Sequence, residues 1–542
     1  MGTPFRSPKL LGGSYAPAME ITEALLALIA ACIGFALLAR RARVPYAVVL
    51  VVGGMALAFL PGLPAVTLDP ELALAFLVPP LLQASAWRTD WRDFRANLRP
   101  ILLLAVGCVL FTAACVAFAA RQLIPGLPWA AAVALGAIVA PPDAVAASAV
   151  LKRLPIPRHV VVVLEGESLV NDATALVLYR FAVAAVAAGG VAFERAAGSF
   201  FLVALGGIAM GWAIGWAANW SYRRLDDPLL ETATSFIACF GSFLAAEALH
   251  FSGVIAVVTT GLVLGQMQHR TVTPESRVVA RAVWDFVEFV LTSLIFILVG
   301  LQLRGILERI SGHGVAELAG LALAISAVLI VSRFVWVFPA TYLPRLVPAL
   351  RRSYPFPPVG HVAVISWAGM RGVVSLAAAL ALPLGFPERD LLVFLSFCAI
   401  LATLVVQGTT LEWVIARLRV TERRPTAMPS VEAQARRHVA RATLAEVERR
   451  AEDVLEGAVA RDLVEEYREK ARVFHSIAEG GSQAELEARL RIRLAALRAG
   501  RRALLDRDRA NGLPDELLAE LEAETDLEEL RILRLLGSPP AK

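Results

Sequence analysis

The hydrocarbon core of a bilayer is about 30 Å thick, and roughly twenty apolar residues in a helix cross it. This chain of 542 residues repeats apolar stretches of that length from residue 20 to residue 416. Backbone N–H and C=O groups find no water at bilayer depth, so each stretch must satisfy its own hydrogen bonds as a helix. On that rule about thirteen spans are predicted, at 20–39, 45–63, 69–87, 100–120, 128–151, 159–187, 193–219, 229–249, 252–268, 282–303, 315–341, 358–384 and 389–416. Composition agrees: 57% of residues are hydrophobic and 18% charged, against about 45–50% and 25% in soluble domains. The expected fold class is an all-α polytopic membrane protein.

Charge sets the orientation. Arg40, Arg41 and Arg43 follow the first span, Arg88, Arg92, Arg95 and Arg99 the third, and Lys152, Arg153 and Arg158 the fifth. Arg223 and Arg224 follow the seventh, Arg270, Arg277 and Arg281 the ninth, and Arg345, Arg351 and Arg352 the eleventh. Loops after even-numbered spans hold few basic residues. Cytoplasmic loops carry the excess of Lys and Arg, so the N-terminus is expected outside and the C-terminus in the cytoplasm of a multi-pass cell-membrane protein. The net charge of +5 is accounted for by these loops and calls for no nucleic-acid partner. Residues 1–19 read as an extracytoplasmic tail without a signal-peptide pattern, and Met19 is a second candidate start. The five cysteines lie inside apolar segments without metal-ligand spacing and read as small core residues.

Residues 20–416 form the expected membrane domain, and from 417 to 542 the composition changes. After the short linker TERRPTAMPS, the chain is rich in Ala, Leu, Glu and Arg at helical apolar spacing, broken at Gly480-Gly481 and Asn511-Gly512. A cytoplasmic helical domain is predicted. It serves either as a solvated bundle for folding or dimer contact, or as a regulatory domain sensing pH or a ligand; the sequence leaves both open.

Span six is where chemistry concentrates. The segment VVVVLEGESLVNDATALVLYRF carries Glu165, Glu167, Ser168, Asn171 and Asp172 within two turns. Acidic groups at bilayer depth are expensive, and by default they face a cavity and mark an ion or proton path. At helical spacing Glu165, Ser168 and Asp172 form one stripe and Glu167, Asn171 and Thr174 the next. Oxygen donors on two adjacent faces are expected to surround a small cation. Asp285 and Glu288 on span ten read as solvated acids near a helix entrance, with a cytoplasmic funnel as the sharper reading.

Two other spans are interrupted. Span five reads GAIVAPPDAVAASAV, where Pro141 and Pro142 each remove a backbone donor and should break the helix; Asp143 follows, where an anion stabilises the N-terminus of the half-helix beyond. Span twelve reads VISWAGMRGVVSLAAALALP and is interrupted by Gly369, Arg371 and Gly372. Interrupted helices at corresponding positions in two halves of a transporter point to inverted repeats with the site at their crossing. Arg371 stays charged and needs an acidic partner when buried, which Glu167 or Glu165 can supply.

Together EGESLVND, APPDAVAA, GMRGVVSLAAALALP and FILVGLQL resemble the monovalent cation:proton antiporter-1 family, the bacterial sodium/proton exchangers, over roughly residues 20–415. The resemblance implies inverted repeats with two crossed broken helices and a dimerisation domain, hence a homodimer. It implies that Asp172 takes either the cation or the proton, with Asn171, Ser168, Asp143 and the Pro142 carbonyl assisting and Glu167 paired with Arg371. Asp172, Ser168 and Asp143 would be the direct sodium ligands. Three positions depart from the family pattern: Gln83 and Ala84 stand where an acid commonly follows PPLL, Pro142 where a threonine precedes the aspartate, and Thr292 where an asparagine is common. Each changes an oxygen ligand, so ion selectivity is left open.

A carboxylate that either ion neutralises makes an exchanger, because only the neutralised site crosses cheaply by alternating access. With Asn171 beside Asp172 instead of a second acid, the expected cycle is one proton for one monovalent cation, electroneutral. A charge-moving cycle would feel about 2.3 kcal/mol per charge per 100 mV. The ions expected are Na+ and Li+ with H+, and no cofactor; potassium/proton exchange on the same fold is the alternative. The scattered histidines form no metal or nucleophile constellation, against an enzyme. A sensor anchored by its membrane part has no use for Asp143, Asp172 and Arg371 at membrane depth.

Overall fold

The computed structural model describes residues 16–42, 44–60, 73–143, 147, 151, 154, 156–188, 193–310, 312, 314–346, 356–420, 430–452, 457–479, 483–511 and 515–536. It divides into two compact units, 1–422 and 423–542, and no strand occurs among the described residues. The first unit contains α1 (Ala16–Ala42), α2 (Tyr46–Ala58), α3 (Val78–Arg88, preceded by a π-helical turn at Ala73–Leu77), the short α4 (Trp91–Ala96), α5 (Leu98–Leu123) and α6 (Trp129–Val139). After it come α7 (Arg158–Ala188), α8 (Phe193–Tyr222), α9 (Pro228–Ala248), α10 (Gly253–Thr271), α11 (Pro274–Arg309), α12 (Val315–Tyr342), α13 (Val359–Trp367), α14 (Val373–Leu380) and α15 (Arg389–Arg417).

Helix therefore occupies every segment predicted to span. Seven of these helices are long and apolar enough to cross a membrane by length and composition, and α2, α6 and α10 contribute shorter apolar stretches. Helix starts follow local chemistry. Asp227 accepts from the Leu229 and Leu230 amides at the head of α9, Ser252 from Ile255 at α10, and Thr273 from Ser276 at α11, each satisfying donors that have no intrahelical acceptor.

Both interruptions occur where proline and glycine place them. Helix α6 stops at Val139 and Pro141–Asp143 are non-helical; most of the half-helix expected beyond (144–146 and 148–150) lies outside the described residues, as do 1–15 of the tail and 421–429 of the linker. Residues 368–372 separate α13 from α14. Helices α5, α6, α7, α12, α13 and α14 pack around these interruptions, while α3 packs on α10 and α2 packs on α11.

The second unit holds α16 (Ser430–Arg450), α17 (Gly457–Ala478), α18 (Ala484–Asn511) and α19 (Asp515–Leu535). Helices α16 and α17 share a small core of Ala433, Ala440, Ala471, Val473, Phe474 and Ile477. Arginine–glutamate pairs lie on the exposed surface of this unit, within α16 (Arg436–Glu432) and between α18 and α17 (Arg489–Glu469).

Candidate functional site

The acidic stripe on α7 opens onto a cavity of about 220 Å³. Glu165, Ser168 and Asp172 line it together with Pro141, Pro142 and Asp143 from the first interruption and Gly372 and Ser375 from the second. Thr292 on α11 faces the same space. The i, i+3, i+7 spacing on α7 thus does what helical geometry requires, and brings one carboxylate stripe against both broken segments.

The two interruptions touch. The Asp143 amide donates to the Met370 carbonyl at 2.7 Å, joining backbone groups that no helix satisfies. Gly372 is what allows this approach: a Cβ there would lie 1.6 Å from Asp143 Oδ2, far inside any contact distance. The second glycine of the interruption is therefore a steric requirement of Asp143's position.

The neighbouring stripe behaves differently from the expectation. Glu167 and Asn171 turn away from the cavity into the protein. Asn171 Nδ2 donates to the Pro142 carbonyl at 2.7 Å, so Asn171 braces the first interruption and engages the very oxygen expected to face the cation. Thr174 donates to Val170 O on its own helix. The cavity oxygens of α7 thus come from one face only, beside those of the broken segments, Ser85 on α3, and Glu288 and Thr292 on α11.

The predicted Glu167–Arg371 pair is replaced by another. Glu167 accepts two bonds from Arg333 on α12, Nη1 to Oε1 at 2.6 Å and Nη2 to Oε2 at 2.7 Å, with both side chains 1% exposed. Arg333 also donates to the Ile365 carbonyl, through Nη2 at 3.1 Å, at the C-terminal end of α13. Arg371 donates to backbone oxygens: Val139 at 2.9 Å, Ala140 at 3.3 Å and Gly369. Its own amide donates to Thr403 Oγ1 at 3.1 Å.

The two arginines are thus equivalent devices. A helix end concentrates partial negative charge on carbonyls without intrahelical partners. Breaking α6 and α13 inside the protein creates two such ends, and Arg371 serves the first while Arg333 serves the second. Arg333 went unnoticed in the sequence although its signal was present, a lone arginine inside the apolar run VLIVSRFVWVF.

At another wall of the cavity Arg88 from the end of α3 reaches across to α11, donating to Asp285 at 2.7 Å and to Glu288. Arg88 and Glu288 both line the cavity. Glu288 therefore lines the cavity, whereas Asp285, 58% exposed and outside the lining, is a solvated acid.

Residues 25–417 match the family model described as sodium/hydrogen exchanger, transmembrane. The chain belongs to the sodium/hydrogen exchanger family. Its members are secondary transporters rather than enzymes. An uncharacterised Na+/H+ exchanger of Mycobacterium tuberculosis is 36% identical, over 94% of this chain and 96% of that protein. The Na+/H+ antiporter ApNhaP of Aphanothece halophytica is 32% identical over 74% of this chain and 75% of its own. Among solved structures, the sodium proton antiporter MjNhaP1 of Methanocaldococcus jannaschii matches 74% of this chain and 100% of its own, with a TM-score of 0.59 at 18% identity. This exchanger therefore shares the antiporter fold.

Proposed function

We propose that this exchanger moves Na+, and with it Li+, against H+ across the cell membrane, one for one, with both ions competing for Asp172. The observation that carries the reading is the single cavity in which Asp172, Ser168 and Asp143 meet at two touching helix interruptions. Broken backbone at membrane depth is tolerated where it lines such a cavity, and half-helix ends are where transporters hold ions. Asp172 and Ser168 offer hard oxygen ligands from α7, Asp143 a third from the interruption. Asn171 acts indirectly, by fixing the Pro142 carbonyl, and Glu167 acts with Arg333 as a brace. When a cation or a proton neutralises Asp172 the site crosses; when neither does, the buried charge holds it in place.

In this reading thirteen helices cross the membrane in inverted repeats, the N-terminus lies outside, the 423–542 unit lies in the cytoplasm, and the protein is a homodimer. Potassium is the second candidate cation, because the Bacillus subtilis sodium, potassium, lithium and rubidium/H+ antiporter is 32% identical over 64% of this chain and 54% of its own. Proteoliposomes with an internal pH dye test the reading. Sodium and lithium pulses should dissipate an imposed pH gradient, the response should be insensitive to imposed voltage, and a potassium pulse decides the second cation. Strong voltage dependence would refute the one-for-one cycle.

A further inference from the structure

A second cavity lies apart from the first, enclosed by α3, α8, α9, α10 and α11 and about 30 Å³ in volume, room for one water-sized ligand. Glu231 on the first turn of α9 lines it and is 4% exposed. Neither of its carboxylate oxygens makes a hydrogen bond of ordinary geometry within the protein; the Ser276 hydroxyl, which accepts from Thr273 at 2.9 Å, stands beside it as a donor. Gln83 on α3, 2% exposed, lines the same cavity and its Oε1 also has no partner.

The unmet groups are all acceptors. Gln83 spends its amide nitrogen on the Ser235 carbonyl at 3.3 Å. Ser235 accepts from Trp284 at 3.0 Å and donates to Thr232 O at 2.6 Å, leaving only lone pairs to present. Tyr222 and Gln268 complete the polar lining. No Lys, Arg or His lines the cavity among the described residues, and Arg277 on the adjoining turn donates instead to the Val272 carbonyl. The carboxylates of Asp226 and Asp227 add further negative potential.

A carboxylate held from water beside a carbonyl oxygen, with no cationic side chain on it, is stabilised by neutralisation, through a proton or a bound cation. One carboxylate with neutral oxygens suits a monovalent hard cation, whereas calcium takes six to eight oxygens, several from carboxylates. We infer that Glu231, with Gln83 and the Ser235 and Ser276 hydroxyls, forms a second monovalent-cation site, distinct from the transport site at Asp172. Helices α3 and α11 line both cavities: Gln83 and Trp284 face this one, Arg88 and Glu288 the other. A cation at Glu231 is therefore placed to set the spacing of the two helices that the Arg88 bridge joins.

The test is equilibrium binding of radioactive sodium to the purified full-length protein at alkaline pH. Wild type should bind two ions per chain, Asp172→Asn one, Glu231→Gln one and the double variant none. The inference is overturned if Glu231→Gln removes no site, or if wild type binds a single ion that Asp172→Asn abolishes, in which case a water or a proton satisfies Glu231. The proposal rests on Asp172 being the transport site only for its label: if Asp172→Asn keeps both ions while Glu231→Gln loses one, the transport assignment fails and this one stands. Gln83→Leu supplies the arm that leaves the carboxylate intact. It should weaken sodium binding at the second site at least tenfold, and unchanged affinity there would overturn the ligand set.

Discussion

Removing one partner of the Glu167–Arg333 pair should be among the most damaging single changes in the membrane unit. The pair is bidentate, with N–O distances of 2.6 and 2.7 Å and both side chains 1% exposed. Arg333→Met leaves a carboxylate buried without a counter-charge and takes the donor from the Ile365 carbonyl at the end of α13. Breaking a buried pair from one side costs about 3–5 kcal/mol, or roughly two to nearly four orders of magnitude in the folded-to-unfolded ratio. Removing both charges together, in Glu167→Leu with Arg333→Met, should recover much of that loss, because apolar replacements of a buried pair are often close to neutral. Tryptophan fluorescence during denaturation of purified protein, run as a double-mutant cycle, reads the coupling. The expected coupling between Glu167 and Arg333 is about 2 kcal/mol or more, near the upper part of the range for residues in one network. A cycle of Glu167 with Arg371 should show much weaker coupling, since Arg371 is held by backbone carbonyls. Strong coupling to Arg371 and none to Arg333 would refute the assignment.

Other consequences are equally direct. Gly372→Ala forces a Cβ to within 1.6 Å of the present Asp143 Oδ2 position, so exchange in vesicles should fall at least tenfold, by the pre-organisation argument that small misplacements are costly, while membrane abundance is retained; wild-type exchange would show that Asp143's position is not used. If proton and cation compete for one carboxylate, as proposed, the apparent KM for sodium should rise by up to roughly tenfold per pH unit as pH falls through the competing range, with the maximal rate much less affected; a KM independent of pH contradicts competition. Arg88→Gln removes a cation from the cavity wall and frees Glu288, which should lower the KM for sodium by several-fold through the local potential, and an unchanged KM would show that the bridge is structural only. In the 423–542 unit, the Arg449 and Arg450 guanidiniums hold the exposed Glu446 carboxyl down at about 2. Its charge should persist through physiological pH and be lost only as pH falls through that value, so Glu446→Gln should leave the pH profile of exchange unchanged; an altered profile would assign that helix a pH-sensing role.

Much of this architecture is legible in the residues because the bilayer restricts what a chain can do. Apolar runs of fixed length place the helices, the Pro141-Pro142 and Gly369–Gly372 segments place both interruptions, and the 165–168–172 spacing places one acidic face. All of that is local. What was not legible is long-range. Glu167 and Arg333 are 166 positions apart, and nothing in local periodicity says which of two buried arginines meets the acid. Arg371 stands out in sequence by its flanking glycines; its role at the end of α6 emerges once the chain folds back, because a carbonyl has no sequence signature. Helical spacing likewise gives adjacent faces without saying which one fronts the cavity. Asn171 lies one face over and braces Pro142 for that reason. Glu231 escaped notice because an acid at a helix start looks like an ordinary N-terminal charge until its burial is known.

The central claim is that Asp172 carries both ions in turn. The most direct test compares wild type with Asp172→Asn in proteoliposomes holding an internal pH dye, under sodium, lithium and potassium pulses, with insertion and folding of the variant confirmed. Wild type should dissipate the pH gradient on addition of sodium and Asp172→Asn should not. Exchange by Asp172→Asn at the wild-type rate would contradict the account and move the ion site elsewhere in the cavity.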